Sequence, residues 1–140
     1  MDTMIEATLE NTHPVPTVIV SRPGIMQQAL RASLAANSWI TVVASCGDGL
    51  TALNRLVRYQ PGLLVIDSNL LDEEVDALLT AVKARYPAIR CLVLVRTLQH
   101  RDQLLVHGAD AVIQRNATAS ELTQALTQLA QDVGQQAPDS

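Results

Sequence analysis

The sequence predicts one doubly wound α/β domain: a five-stranded parallel sheet with helices on both faces. Two observations carry that prediction. Five short apolar runs rich in Val, Ile and Leu recur along the chain, and each is followed by a helical pattern. The runs are near-continuous rather than alternating, which calls for a sheet covered on both faces, because a crossover helix must return the chain between parallel neighbours. The length of 140 residues is about that of a single domain.

In chain order the predicted strands are TVIVS (17–21), ITVVA (40–44), LLVID (63–67), CLVLV (91–95) and AVIQ (111–114). Pro23 suits the first turn of helix 1, where its missing N–H costs nothing. Leu50, Leu53, Leu56 and Val57 mark the inward stripe of helix 2, and Val75, Leu78, Leu79 and Val82 that of helix 3. Gly108 suits the C-terminal cap of the helix before the last strand. The last helix opens on a capping box, Thr118-x-x-Glu121, buries Leu122, Ala125, Leu126 and Leu129, and has Gly134 as a candidate C-terminal cap. Residues 1–15 and the ending GQQAPDS (134–140) have the composition of a tail, the latter also of the start of an interdomain linker, so the expected domain is 16–133.

Composition narrows the function. A net charge of -4 with 2% aromatics argues against a nucleic-acid surface, which needs a basic face and often stacking rings. The N-terminus has acids at Asp2, Glu6 and Glu10 and no apolar core of a signal peptide, and no apolar run approaches the ~20 residues of a membrane span. Cys46 and Cys91, without a CxxC, are small core hydrophobes of a reduced protein. These features predict a soluble cytoplasmic chain.

In open α/β sheets the functional crevice lies beyond the carboxyl ends of the strands. The residues there are Ser21 and Arg22, Cys46, Asp67, Val95 and Arg96, and Gln114 and Arg115. Read in that order, the chain resembles a response-regulator receiver domain, CheY-like in its three-layer sandwich and closest to receivers that precede helix-turn-helix DNA-binding domains. The family's V-D-D-H-P after strand 1 meets Val20-Ser21-Arg22-Pro23-Gly24, and its A-S-D-G-x-x-A-L turn meets Cys46 to Leu53. Its R-P-D-V-V-L-L-D-x-x-M-P run meets Gln60 to Leu71. Two residues are missing before Gly108-Ala109-Asp110, and Y-L-L-K meets Val112-Ile113-Gln114-Arg115.

The resemblance implies that Asp67 stands at the phosphoacceptor position. In the family two acids after strand 1 hold Mg²⁺, a hydroxyl after strand 4 and a Lys after strand 5 contact the phosphoryl group, and an aromatic residue three before that Lys acts as a switch. Ser21 and Arg22 stand here in place of the acids, Val95 of the hydroxyl, Arg115 of the Lys and Val112 of the aromatic. The pocket's formal charge therefore changes from about -2 to about +1, and a unit charge at about 4 Å is worth roughly 4 kcal/mol at an effective dielectric of 20. Metal binding is expected to be lost, with no cofactor and no catalytic residue, and Asp67 is expected to pair with Arg22 or Arg115.

Other readings fare less well. GDGLTA (47–52) matches G-x-G-x-x-A, but on the second βα turn rather than the first, where a dinucleotide fingerprint belongs. His13, His100 and His107 have no HExxH spacing or cysteine partner; His107 suits a helix C-terminus. Arg96 and Arg101, if they line one rim with Arg22 and Arg115, leave a small-anion or nucleotide sensor open, and an ordinary receiver phosphorylated on Asp67 is the other alternative. The leading expectation is an atypical receiver, not an enzyme, that signals by protein–protein contact without Mg²⁺-dependent phosphorylation. Its partner would be an effector domain, a sensor kinase or a second copy, and the resemblance places a possible dimer face on helix 4, strand 5 and helix 5.

Overall fold

The computed structural model describes residues 14–67, 70 and 72–136, with side chains through Gln131. The expected tail through His13, Ser68, Asn69 and Leu71 of the strand 3 motif, and residues 137–140 lie outside the described residues. Five parallel strands form one sheet in the order β2-β1-β3-β4-β5. They are β1 (Val15–Val20), β2 (Ile40–Cys46), β3 (Leu63–Asp67), β4 (Arg90–Val95) and β5 (Ala111–Gln114). The helices between and after them are α1 (Ile25–Ala35), α2 (Gly49–Tyr59), α3 (Asp72–Arg85), α4 (Arg101–His107) and α5 (Ala119–Gln136), and a 3₁₀ turn, Leu98–His100, leads into α4.

Period-two alternation divides the apolar runs between two core layers. Val18, Val20, Leu64, Ile66, Cys91, Val93 and Val95 face the layer built with α2, α3 and α4. Ile19, Leu63, Val65, Leu92 and Leu94 face the layer built with α1 and α5. Chain direction across the sheet reverses between β1 and β3, and that switch point opens the crevice in which ligands of such sheets bind.

Most of the predicted inward stripes are buried: Val75, Leu78, Leu79 and Val82 on α3, and Leu122, Leu126 and Leu129 on α5. On α2 the stripe differs. Leu50 and Val57, seven residues apart on one flank, are exposed, and the helix turns Gly49, Ala52 and Leu56 inward. Small residues let it approach α3, where a Cβ on Gly49 would already touch Glu74 and Leu78.

The punctuation also differs in places. Helix α1 begins after Pro23, with Gly24 at its N-cap in a positive-φ conformation (φ 145°) that favours glycine, so Pro23 precedes the helix instead of opening it. The last helix passes through Gly134, the expected cap, and the expected domain end at 133, to Gln136, while β1 starts at Val15, one residue inside the expected tail. The capping box forms as read: the Thr118 N–H donates to Glu121 Oε1 and the Glu121 N–H to Thr118 Oγ1, both at 3.1 Å. Gly108 ends α4 at φ 126°.

The Gly-Ala-Asp turn after α4 is structural. Asp110 Oδ2 accepts from Lys83 Nζ at 2.6 Å and from the Cys91 N–H at 2.8 Å, and Oδ1 lies 3.5 Å from Arg90 Nη1. One carboxylate thus joins the end of α3, the start of β4 and the entry to β5. No helix among the described residues is long and apolar enough to cross a membrane.

Candidate functional site

Strand β3 is buried along its whole length, and period two puts its last residue, Asp67, on the face of Leu63 and Val65. Asp67 is only 2% exposed. A carboxylate so far from water is tolerated when it is paired and hydrogen-bonded. Arg115 Nε lies 2.9 Å from Asp67 Oδ1, and Arg115 Nη2 donates to Oδ2 at 3.4 Å. The Nε contact is ionic rather than a well-aligned hydrogen bond, so the pair falls short of a parallel fork. Ser21 Oγ, fully buried at the end of β1, donates to Oδ2 at 3.3 Å.

Local structure explains how residues from three strands meet. The backbone N–H of Arg115 donates to the Val95 carbonyl at 2.7 Å, which carries the β4–β5 ladder one residue past Gln114 and fixes where the guanidinium starts. Strand β4 lies between β3 and β5, so the reach is about 10 Å and needs a long side chain. Ser21 is anchored by its N–H to the Cys46 carbonyl at 2.8 Å. Gln27 on α1, a residue that sequence reasoning missed, donates to the Ser21 carbonyl at 2.6 Å. A lone Gln one turn into a helix carries no signal of that role. Arg22 is exposed at the end of β1, and Val95 and Val112 are buried.

The residues present do not fit the Mg²⁺ that receivers use. Magnesium is held by carboxylates and water in octahedral geometry, whereas the acid positions are occupied by a hydroxyl and a cation, and both oxygens of Asp67 already face Arg115 or Ser21. Among the described residues no group of three or more His, Cys, Asp or Glu stands close enough to hold a metal ion.

The arginines of the expected rim stand on separate segments: Arg22 after β1, Arg96 after β4, Arg101 at the start of α4 and Arg115 after β5. Arg115 and Asp67 line a cavity of ≈ 160 Å³ walled by α1 and the start of α5, including Met26, Leu30 and Leu122. Arg96 lines a different cavity, and Arg101 sits 3.7 Å from Asp102 on the surface. The glycine loop after β2 is filled by carboxylates: Glu74 Oε2 accepts from the Gly49 N–H and Asp48 Oδ1 from the Thr51 N–H, each at 2.7 Å. Those bonds to the Thr51 N–H and hydroxyl hold the Asp48 carboxyl below its usual range. A pyrophosphate would meet two anions at the helix N-terminus that should cradle it, which removes the dinucleotide reading. His107 Nε2 lies 3.6 Å from Asp76 Oδ2, and its Nδ1 is 3.4 Å from Thr80 Oγ1; both partners are on α3.

No protein-family model and no curated protein matches the chain in sequence. Solved structures match in fold. The signal receiver domain of the response regulator NarL from Mycobacterium tuberculosis superposes with a TM-score of 0.77 at 19% identity, over 85% of this chain and 98% of that one. A LuxR-family two-component response regulator from Aurantimonas sp. SI85-9A1 gives 0.77 at 18% identity, over 90% and 96%. The RcsB response regulator of Salmonella typhimurium gives 0.75 at 18%, over 86% of this chain, which spans 61% of that longer one. The chain has the fold of a response-regulator receiver domain.

Proposed function

We propose that the chain is an atypical receiver domain of two-component-type signalling that acts by protein–protein contact and is not switched by Mg²⁺-dependent phosphorylation. One observation carries the reading: the buried carboxylate at the phosphoacceptor position is already neutralised by Arg115, at 2.9 Å, and hydrogen-bonded by Ser21. Phosphoryl transfer to a carboxylate brings two anions together, and the metal that offsets their charge has no ligand pair here. The buried Val95 and Val112 offer neither a hydroxyl to the phosphoryl group nor a ring to swing inward.

On this reading the domain is a binding module of the cytoplasm without cofactor or catalytic residue, and its partner is an effector domain, a sensor kinase or a second copy. The match to a receiver within the longer RcsB chain, described elsewhere in a complex with DNA, favours an effector domain. The α4–β5–α5 face is the surface proposed for the contact; Val106 on α4 is 85% exposed. Incubation with acetyl phosphate and Mg²⁺ should leave the intact mass unchanged. A gain of one phosphoryl group that disappears in Asp67→Asn would make Asp67 an ordinary phosphoacceptor, and a rise in melting temperature with phosphate or a nucleotide, lost in Arg115→Ala, would make the site an anion sensor.

A further inference from the structure

On the sheet face opposite Asp67, a cavity of ≈ 400 Å³ opens between α3 and α4. We propose that it binds a free amino acid with an apolar side chain. The volume is in the range of small-molecule sites. Its floor is apolar and buried, formed by Val75, Val93, Val95 and Leu104. Its walls carry opposite charges. Asp72 and Asp76, four residues apart and so on one side of α3, stand on one wall, and Arg96, just past the end of β4, on another.

These charges are available. Neither Asp72 nor Arg96 has an ion-pair or hydrogen-bond partner among the described residues. Asp76 is steadied from α4 by Gln103 Nε2 at 3.5 Å and His107 Nε2 at 3.6 Å, contacts long enough to yield to an ammonium group. The charge pattern selects the ligand class. An anion would face two carboxylates, a simple cation would face Arg96, and an uncharged apolar molecule would strip water from charges it cannot satisfy. A zwitterion places its ammonium group against Asp72 and Asp76, its carboxylate on the guanidinium of Arg96, and its side chain over the valine and leucine floor. Because Leu104, Gln103 and His100 belong to α4 and the turn before it, the occupied cleft ties that short helix to α3.

The inference does not depend on whether Asp67 is phosphorylated. Phenylalanine, leucine and tryptophan, titrated into ¹⁵N-labelled protein, are the probes, with phenethylamine and 3-phenylpropionate as the two half-charged controls. At least one amino acid should give saturable shifts of the Val75, Arg96, Gln103 and Leu104 amides, with each control binding about tenfold or more weakly. Asp72→Asn and Arg96→Gln, both at exposed positions, should each weaken binding by about tenfold or more while leaving the remaining amide spectrum in place. The proposal is overturned if none of the three amino acids gives a saturable response up to about 10 mM. It is equally overturned if phenethylamine binds as tightly as phenylalanine, which would make the cleft a cation site, or if binding survives both substitutions.

Discussion

Replacing Arg115 with Ala should destabilise the domain more than replacing Asp67 with Ala, although both changes delete the same ion pair. The asymmetry comes from burial: the Asp67 side chain is 2% exposed and that of Arg115 20%. Without Arg115 a buried carboxylate loses the guanidinium at 2.9 Å, and removing one partner of a buried pair costs about 3–5 kcal/mol. Without Asp67 the guanidinium, already partly in water, turns outward on its flexible stem, so the cost falls to about 1–2 kcal/mol. The gross attraction, about 4 kcal/mol at an effective dielectric of 20, is largely offset by desolvation, which leaves a coupling of about 1–3 kcal/mol. Urea melts of the wild type, Asp67→Ala, Arg115→Ala and the double variant measure all of these, provided the slope with denaturant is shared. The carboxylate is shielded from solvent, so the coupling should change less with added salt than that of a surface pair. The reasoning is refuted if Asp67→Ala proves the costlier change or a stabilising one, or if the coupling is below about 0.5 kcal/mol.

Asp110→Ala should cost about 3 kcal/mol or more, because it takes the carboxylate from the buried Arg90, from Lys83 and from the Cys91 N–H at once; a loss below about 1 kcal/mol in the same melts would show that the turn is not pinned by that carboxylate. Burial pushes the Cys91 thiol up to about 12 and that of Cys46 up as well, so neither should react with a disulfide reagent at neutral pH until the domain unfolds. A thiol that keeps its proton in the folded state and loses it in the unfolded state contributes stability that is full below the ordinary value of 9.0 and declines above it, so melting temperatures should fall from that pH upward. Rapid labelling of Cys91 in the native protein would contradict its burial.

The strands were legible because a strand covered on both faces must be apolar at nearly every position, and the five runs are that kind of sequence. The inward face of α2 was not. Leucine is the strongest apolar signal in a sequence, yet α2 turns Gly49, Ala52 and Leu56 inward, and Leu50 is left in solvent. That Arg115 reaches Asp67 from two strands away was also beyond the sequence. That contact depends on strand order, on the β4 carbonyl that positions Arg115, and on the length of its side chain. The α3–α4 cleft left no motif because Asp72, Arg96 and His100 come from separate segments, and each alone reads as a solvated surface charge.

A signal that moves α4 must change contacts that α4 makes, because a ligand shifts an equilibrium only by its differential affinity for the two states. Arg115 and Ser21 tie Asp67 to β5 and β1, and the buried apolar Val95, Val112 and Leu104 belong to the core layer on the α4 side of the sheet. Among the described residues the polar side-chain contacts from other elements that reach α4 come from α3: Asp76 meets both Gln103 and His107, and Thr80 meets His107. These contacts, at 3.4–3.6 Å, are long for hydrogen bonds, and two of the residues that make them, Asp76 and Gln103, line the ≈ 400 Å³ cavity. The position of α4 is therefore set by a weakly bonded polar seam beside a cavity, whereas Asp67 is held by a charge pair. In this chain the seam is the softer element, and an input that reshapes the α4 face acts there with less work than one that must first break the Asp67–Arg115 pair.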